Sequence, residues 1–202
     1  MQDDYKGTLP FWWTQKEDKF HDVSWTSANI SNTGAITLDS LLKIAAGTGE
    51  SQRVGREIVV QCIEMNMHCS MASQGDMTST DQLRVLVYVD NNANGATATV
   101  TDILESTSWL AFYNRANDER FDILLDEFIT FNPRAAAGDG TTNASHTTSI
   151  LQRYKLNTQL KVLYSGTAGL LTEIASTNIG VLAITNNGLA NTETVARVTF
   201  NG

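Results

Sequence analysis

The sequence predicts an all-β sandwich with short helical pieces in its loops. Three observations carry that prediction: period-2 alternation of apolar and polar residues recurs along most of the chain, sustained helical spacing is scarce, and one long alternating segment changes phase halfway along. The 202 residues are 42% hydrophobic and 18% charged, with only 2 Pro. That is enough apolar material for one large domain with its own core, and too much for a disordered chain.

From Met1 to about Asp22 the chain is polar. Lys6, Lys16 and Lys19 stand against Asp3, Asp4, Glu17, Asp18 and Asp22, and the one aromatic cluster is Phe11-Trp12-Trp13. This stretch reads as an N-terminal arm, assigned to residues 1–30, ahead of a β domain over 31–202. Adjacent tryptophans are costly in water, so Phe11, Trp12 and Trp13 are expected at a subunit contact or against the body, with a ligand platform as the alternative.

Leu38 to Ala46 has the spacing of a short helix. In Arg56 to Met71 the apolar residues fall first on even positions (Ile58, Val60, Cys62) and then on odd ones (Ile63, Met65, Met67, Cys69, Met71). A β-bulge produces such a slip, as does a strand bent between two packed sheets. Leu83 to Asp90 is a strand. Asp90-Asn91-Asn92-Ala93-Asn94-Gly95 matches the first half of a calcium loop, but Thr101 stands where the bidentate Glu belongs, so it reads as a turn. Thr99 to Glu105 is a short helix capped by Thr99 or Thr101.

In Phe121 to Phe131 the odd positions Phe121, Ile123, Leu125, Ile129 and Phe131 form one apolar stripe interrupted only by Glu127, with Asp122 and Asp126 together on the opposite face. Residues four apart in a strand are about 13 Å apart, too far for a glycosidase pair. Asn132 to Thr148 is the longest loop. Gln152 to Tyr164 alternates cleanly, with Tyr154, Leu156, Leu160, Val162 and Tyr164 on one face and Arg153, Lys155, Asn157, Gln159 and Lys161 on the other. Ile179 to Thr185 and Thr194 to Phe200, joined through Asn186-Asn187-Gly188 and Asn191, are expected to pair as a hairpin.

The chemistry of catalysis is not recognisable in the sequence. His21, His68 and His146 are scattered, without metal-ligand spacing around them, and there is no nucleophile elbow or phosphate-cradling glycine loop. The expectation is no enzyme, no cofactor and no metal. Cys62 and Cys69 point to opposite faces of one strand and cannot pair with each other. No stretch is apolar enough for membrane insertion, and the N-terminus lacks the pattern of a secretion signal. The net charge of -8 is opposite to the basic footprint of nucleic-acid binders, so any phosphate contact has to be local. Two groups suit phosphate oxygens: Lys43, Arg53 and Arg56, and the strand face of Arg153, Lys155 and Lys161. A solvated face or ion pairs are the alternative for both.

Three strings in order, LKIAAGTGESQRVGREI from Leu42, LRVLVYVDNNANGATATVTDILE from Leu83 and RFDILLDEF from Arg120, resemble the capsid proteins of small circular, replication-initiator-encoding single-stranded DNA viruses, the circovirus-like group. The resemblance covers Leu41 to Phe131. It implies a single jelly roll of two antiparallel four-stranded sheets, self-assembling as about sixty copies into a closed icosahedral shell of the virion around a circular single-stranded DNA genome. It makes the chain itself the chief partner, leaves the host receptor open, and gives Lys43, Arg53 and Arg56 a nucleic-acid-facing role. Such proteins begin with an arginine-rich arm. Here the arm carries three positive against five negative charges, so DNA is expected to be held weakly. The rival reading is an oligomeric carbohydrate- or receptor-binding jelly roll that uses Trp109, Phe112 and Tyr113 as stacking platforms.

Overall fold

The structure, a computed structural model, describes residues 18–71, 81–131, 149–188 and 190–202. Phe11, Trp12, Trp13 and the loop Asn132 to Thr148 lie outside the described residues. The strands are β1 (Lys19–Ser27), β2 (Ala35–Leu38), β3 (Glu57–Met71), β4 (Asp81–Asp90), β5 (Phe121–Phe131), β6 (Ser149–Leu163), β7 (Asn178–Thr185) and β8 (Ala190–Asn201). They form a first sheet in the order β1-β8-β3-β6 and a second in the order β2-β7-β4-β5, with every pairing antiparallel. Of strands consecutive in sequence, only β4 and β5 share a sheet, and every other consecutive pair is divided between the two sheets. This is the jelly roll.

The phase slip in β3 is a bulge. Its register shifts between Val60 and Cys62 against both β6 and β8, and the buried side chains change from Ile58 and Val60 to Ile63, Met65, Met67, Cys69 and Met71. Cys62 is half-exposed and Cys69 buried, both free thiols, and burial pushes the Cys69 thiol up to about 12. β6 keeps its even positions inward throughout.

Five expectations need correction. β1 falls inside the segment assigned to the arm and pairs with β8 from Lys19↔Phe200 to Ser27↔Thr192, so the body starts earlier than residue 31. Leu38 to Ala46 is not a helix. Leu38 ends β2, and Leu41, Leu42 and Ile44 are fully buried in irregular chain between β2 and β3, with the Leu41 amide donating to Ile179 O at 2.8 Å. β7 and β8 do not form a hairpin: β7 pairs with β2 and β4, β8 with β1 and β3. Their link is instead tied to β4, with Asn187 N donating to Asp81 Oδ1 at 3.1 Å and Gln82 N to Asn186 Oδ1 at 2.9 Å. The same turn residues serve an arch between sheets as well as a hairpin. The β5 stripe is also broken. A bulge at Leu124 sets Val87 opposite Leu125 but Tyr88 opposite Ile123, so Phe121 and Ile123 face one way and Leu125, Ile129 and Phe131 the other. Asp122 and Asp126, opposite Val89 and Leu86, consequently lie on opposite faces.

The main core fills the space between the sheets. A second one lies outside the second sheet, where Leu86, Tyr88, Leu182, Ile184 and Phe121 are covered by Ala98, Ile103, Leu104 and Trp109 of the β4–β5 connection. In that connection α1 (Val100–Ile103) begins at Thr99, whose hydroxyl accepts from Asp102 N while its own amide donates to Asp102 Oδ2. This capping box turns Ile103 inward.

Tyr88 lies across β7 at Gly180, its partner in register, where a Cβ would collide with the phenol. Its hydroxyl is buried with no hydrogen-bond partner among the described residues. Gly180→Ala is therefore expected to lower the unfolding free energy by about 1–3 kcal/mol through overpacking. Tyr88→Phe, which removes an unsatisfied hydroxyl, is expected to leave it unchanged or raise it by about 1 kcal/mol. Thermal unfolding of the two variants checks both signs.

Candidate assembly surface

The β4–β5 connection, residues 91–120, is held by an arginine at each end of its span. At its base, Arg120 Nε and Nη2 donate to Asp90 Oδ1 and Oδ2 at 2.8 and 2.7 Å. The guanidinium lies 4.7 Å from the centre of the Phe121 ring.

The second arginine sits mid-sheet. The Leu124 bulge turns Asp126 to the outer face, where Arg84 Nε and Nη2 donate to its Oδ1 and Oδ2 at 2.8 and 2.7 Å. Arg84 Nη1 donates to Ala111 O at 2.7 Å and Trp109 O at 3.2 Å, and the Tyr113 hydroxyl donates to Asp126 Oδ2 at 2.6 Å. The guanidinium faces the Phe128 ring at 5.0 Å and the Tyr113 ring at 5.8 Å, and Trp109 meets Phe128 edge to face at 5.9 Å. With only 6% of its side chain exposed, Arg84 fastens residues 109–113 to β5.

What this clasp presents is apolar. Leu110 is 62% exposed, Phe112 80%, Tyr113 45% and Phe128 47%. The backbone beneath is fixed, because Glu105 N donates to Phe112 O at 2.9 Å and Asn114 N to Ile103 O at 2.8 Å. Beside Phe112 and Tyr113 a cleft is lined by Glu105, Asn114, Arg115 and Asp118.

The basic residues singled out from the sequence are not brought together. Lys43 is exposed and donates to Asp39 Oδ2 at 2.6 Å. Arg56 is exposed. Arg53 is 1% exposed, which corrects its assignment to a nucleic-acid-facing role: a guanidinium buried inside the protein, with each of its three nitrogens bonded to a backbone carbonyl, is out of reach of a phosphate. Its Nε donates to Ile44 O at 3.0 Å, its Nη1 and Nη2 donate to Gly55 O and Gly166 O, and it lies 4.0 Å above the Tyr164 ring. Arg153, Lys155 and Lys161 are on the exposed face of β6. Two of them reach across to β3, Lys155 to Glu64 at 3.0 Å and Lys161 to Glu57 at 2.9 Å.

The Arg84 clasp went unread in the sequence. The signal was there: Arg84 is the one charge inside the apolar run Leu83 to Val89, and a charge in a strand buried on both faces requires a partner. Among the described residues, no group of three or more His, Cys, Asp or Glu is placed to hold a metal ion. No helix there is long and apolar enough to cross a membrane.

Truncating Arg53 would orphan three carbonyls and empty the space over Tyr164. Arg53→Ala is expected to cost about 3 kcal/mol or more of stability, read by chemical unfolding, whereas Arg56→Ala should cost almost nothing. Burial works against the Asp126 carboxylate, but the hydrogen bonds from Arg84 and Tyr113 outweigh it and hold its pKa below the ordinary value. A group depressed in this way stabilises the fold above its unfolded pKa and loses that contribution as pH falls through the folded one. The stability gap between the parent and Asp126→Asn is therefore expected to stay constant from about pH 8 to about pH 5 and to shrink below about pH 4, as measured by unfolding at each pH.

Residues 14–201 match the family model of the satellite tobacco necrosis virus coat protein. No curated protein matches the chain in sequence. Two solved structures are similar over most of their length, each at 9% identity. One is described as Desmodium yellow mottle tymovirus, with 92% of this chain and 89% of that chain covered at a TM-score of 0.29. The other is described as the crystal structure of 60-mer BFDV capsid protein, with 92% of each chain covered at a TM-score of 0.36. The family match runs from ahead of β1 to the end of β8, and on it the chain belongs to the satellite tobacco necrosis virus coat protein family.

Proposed function

We propose that this coat protein closes, as about sixty copies, into a small icosahedral shell around a circular single-stranded DNA genome that it holds weakly. The family match over residues 14–201 carries the coat-protein part. The DNA part rests on the strings from Leu42, Leu83 and Arg120 that resemble capsids of circular single-stranded DNA viruses. In this reading the protein is a virion component that acts by assembling. Phe11, Trp12 and Trp13 belong to subunit contacts, and Lys43 and Arg56 are the remaining nucleic-acid-facing candidates.

Weak holding follows from the fate of the basic side chains. Lys43, Arg84, Arg120, Lys155, Lys161 and Arg197 are each ion-paired to a carboxylate within the subunit. Arg53 and Lys19 are buried on backbone carbonyls. With a net charge of -8, neighbouring subunits repel one another, and apolar contact has to overcome that repulsion.

The sign of the salt dependence separates this from genome-driven assembly. Raising salt from about 0.05 M to about 0.5 M is expected to increase the particle fraction, because screening relieves repulsion between acidic subunits. Assembly on nucleic acid would weaken instead as phosphate contacts are screened. Size-exclusion chromatography with light scattering reads the mass, and absorbance at two wavelengths on the same peak reads nucleic-acid content. A monomer or trimer at every concentration and salt would remove the shell reading. The exposed Phe112, beside a cleft that also holds Glu105, Asn114, Arg115 and Asp118, favours the second reading, a carbohydrate- or receptor-binding oligomer, although Trp109 is already engaged with Phe128.

A further inference from the structure

We propose that the apolar surface of Leu110, Phe112, Tyr113 and Phe128 is covered by a second copy of this chain, which presents Val54, Arg56 and Leu170. The inference rests on the coat-protein reading and names the two surfaces that meet.

Monomers seldom leave four large apolar side chains exposed together without a partner. Those here are held by the Arg84 clasp and by the backbone pairing of Glu105 with Phe112, so little ordering cost remains to be met on association. The polar side chains at the edge include two acids, Glu105 and Asp118, and one base, Arg115. Acids outnumber the base at this edge, so a basic counterpart complements it better than a second copy of the same surface would. The surface therefore calls for a different, basic and apolar counterpart.

One such counterpart is present. Val54 is 52% exposed and Leu170 55%, and Arg56 is exposed with no acidic partner in hydrogen-bond range among the described residues. The two loops that carry them are joined by the Arg53 guanidinium, which donates to both Gly55 O and Gly166 O, and by Tyr164 N donating to Arg56 O at 2.8 Å. Gly169, at φ +76°, lies so close to Ala45 N that a Cβ would not fit, which brings the Leu170 loop in against the segment that leads to Val54. The other exposed apolar side chains differ in setting. Leu151, Leu163 and Val195 lie on the polar outer face of the first sheet among Arg153, Lys161 and Glu193. A contact between two unlike surfaces of one chain is head-to-tail, the kind that closes into rings. A sugar stacked on Phe112 would leave Leu110 and Phe128 uncovered, whereas a second copy covers all four.

The test uses the full chain and reads the particle fraction by light scattering, with the unfolding temperature of each variant alongside. Phe112→Ser and Leu110→Ser are each expected to raise the concentration needed for assembly by about tenfold or more while leaving the unfolding temperature near the parent's, since neither side chain is in a core. Arg56→Glu and Glu105→Arg are each expected to weaken assembly, and the two together to restore much of it. Parent shells that form undiminished with Phe112→Ser overturn the inference and leave the coat-protein reading standing. Charge reversals whose losses simply add overturn the assignment of the counterpart surface. A parent that never assembles overturns both readings, and glycan-array binding abolished by Phe112→Ser would then put a sugar on this surface.

Discussion

Strands β4 and β7 carry apolar side chains on both faces, and a sandwich of two sheets covers only the inner one. Leu86, Tyr88, Leu182 and Ile184 would face water unless a third layer lay over them. The β4–β5 connection is that layer, and much of the chain's unusual chemistry follows from holding it down. Its one short helix turns Ile103 into the second core, and Leu104 pairs with Tyr113 to fold the remainder back over the sheet. A layer this thin buries too little apolar area to fix itself by burial alone. Directional bonds do the rest, at the base through Arg120 and Asp90 and mid-sheet through Arg84 and Asp126.

The two most buried arginines solve one problem in different ways. A guanidinium taken out of water must have its donors satisfied, or the cost exceeds what packing returns. Arg53 spends its donors on backbone carbonyls and its flat face on Tyr164, and so ties the segment before β3 to the segment after β6. Arg84 gives two donors to Asp126 and the third nitrogen to carbonyls of the connection. Each joins chain segments far apart in sequence, and each fixes a loop that carries exposed apolar side chains. Rigidity of the loops and exposure of the apolar surface thus have a common origin in buried charge.

Where one face of a strand is buried and the other wet, the fold was legible from the residues. The β6 stripe and the β3 slip were both visible because polar and apolar residues mark the two sides, and the helix after Thr99 was visible down to a choice of two capping threonines. Legibility failed where both sides are apolar or neither is. Leu124 and Leu125 are adjacent leucines, so the bulge between Ile123 and Leu125 leaves no gap in the pattern, and Phe121 and Ile123 line up in sequence with a stripe they do not join. β1 reads as an arm because Lys19 and Asp22 interrupt it, yet its pairing with β8 depends on backbone hydrogen bonds, which side-chain polarity does not record. Leu41, Leu42 and Ile44 have helical spacing and are buried in irregular chain, since tertiary burial outweighs a weak local preference. Arg53 and Arg56 look alike in sequence. What separates them is burial under Tyr164 and the carbonyls of Ile44 and Gly166, which the fold brings to Arg53 alone.

Charge pairing within the subunit bears on how copies can associate. On the outer face of the first sheet Asp22 meets Arg197, Glu64 meets Lys155 and Glu57 meets Lys161. Exposed pairs of this kind contribute little to stability, but they cancel one another's field locally, and the face is left with little pull on phosphate or on an acidic neighbour. The overall charge of -8 is therefore felt mainly as a general repulsion between copies, which salt screens within about 10 Å. Against a repulsion that is weak at contact and spread over the molecule, a few well-held apolar side chains at loop ends are an efficient opponent. Their gain is short-ranged, does not depend on salt in the same way, and is fully realised only when the partner surface fits.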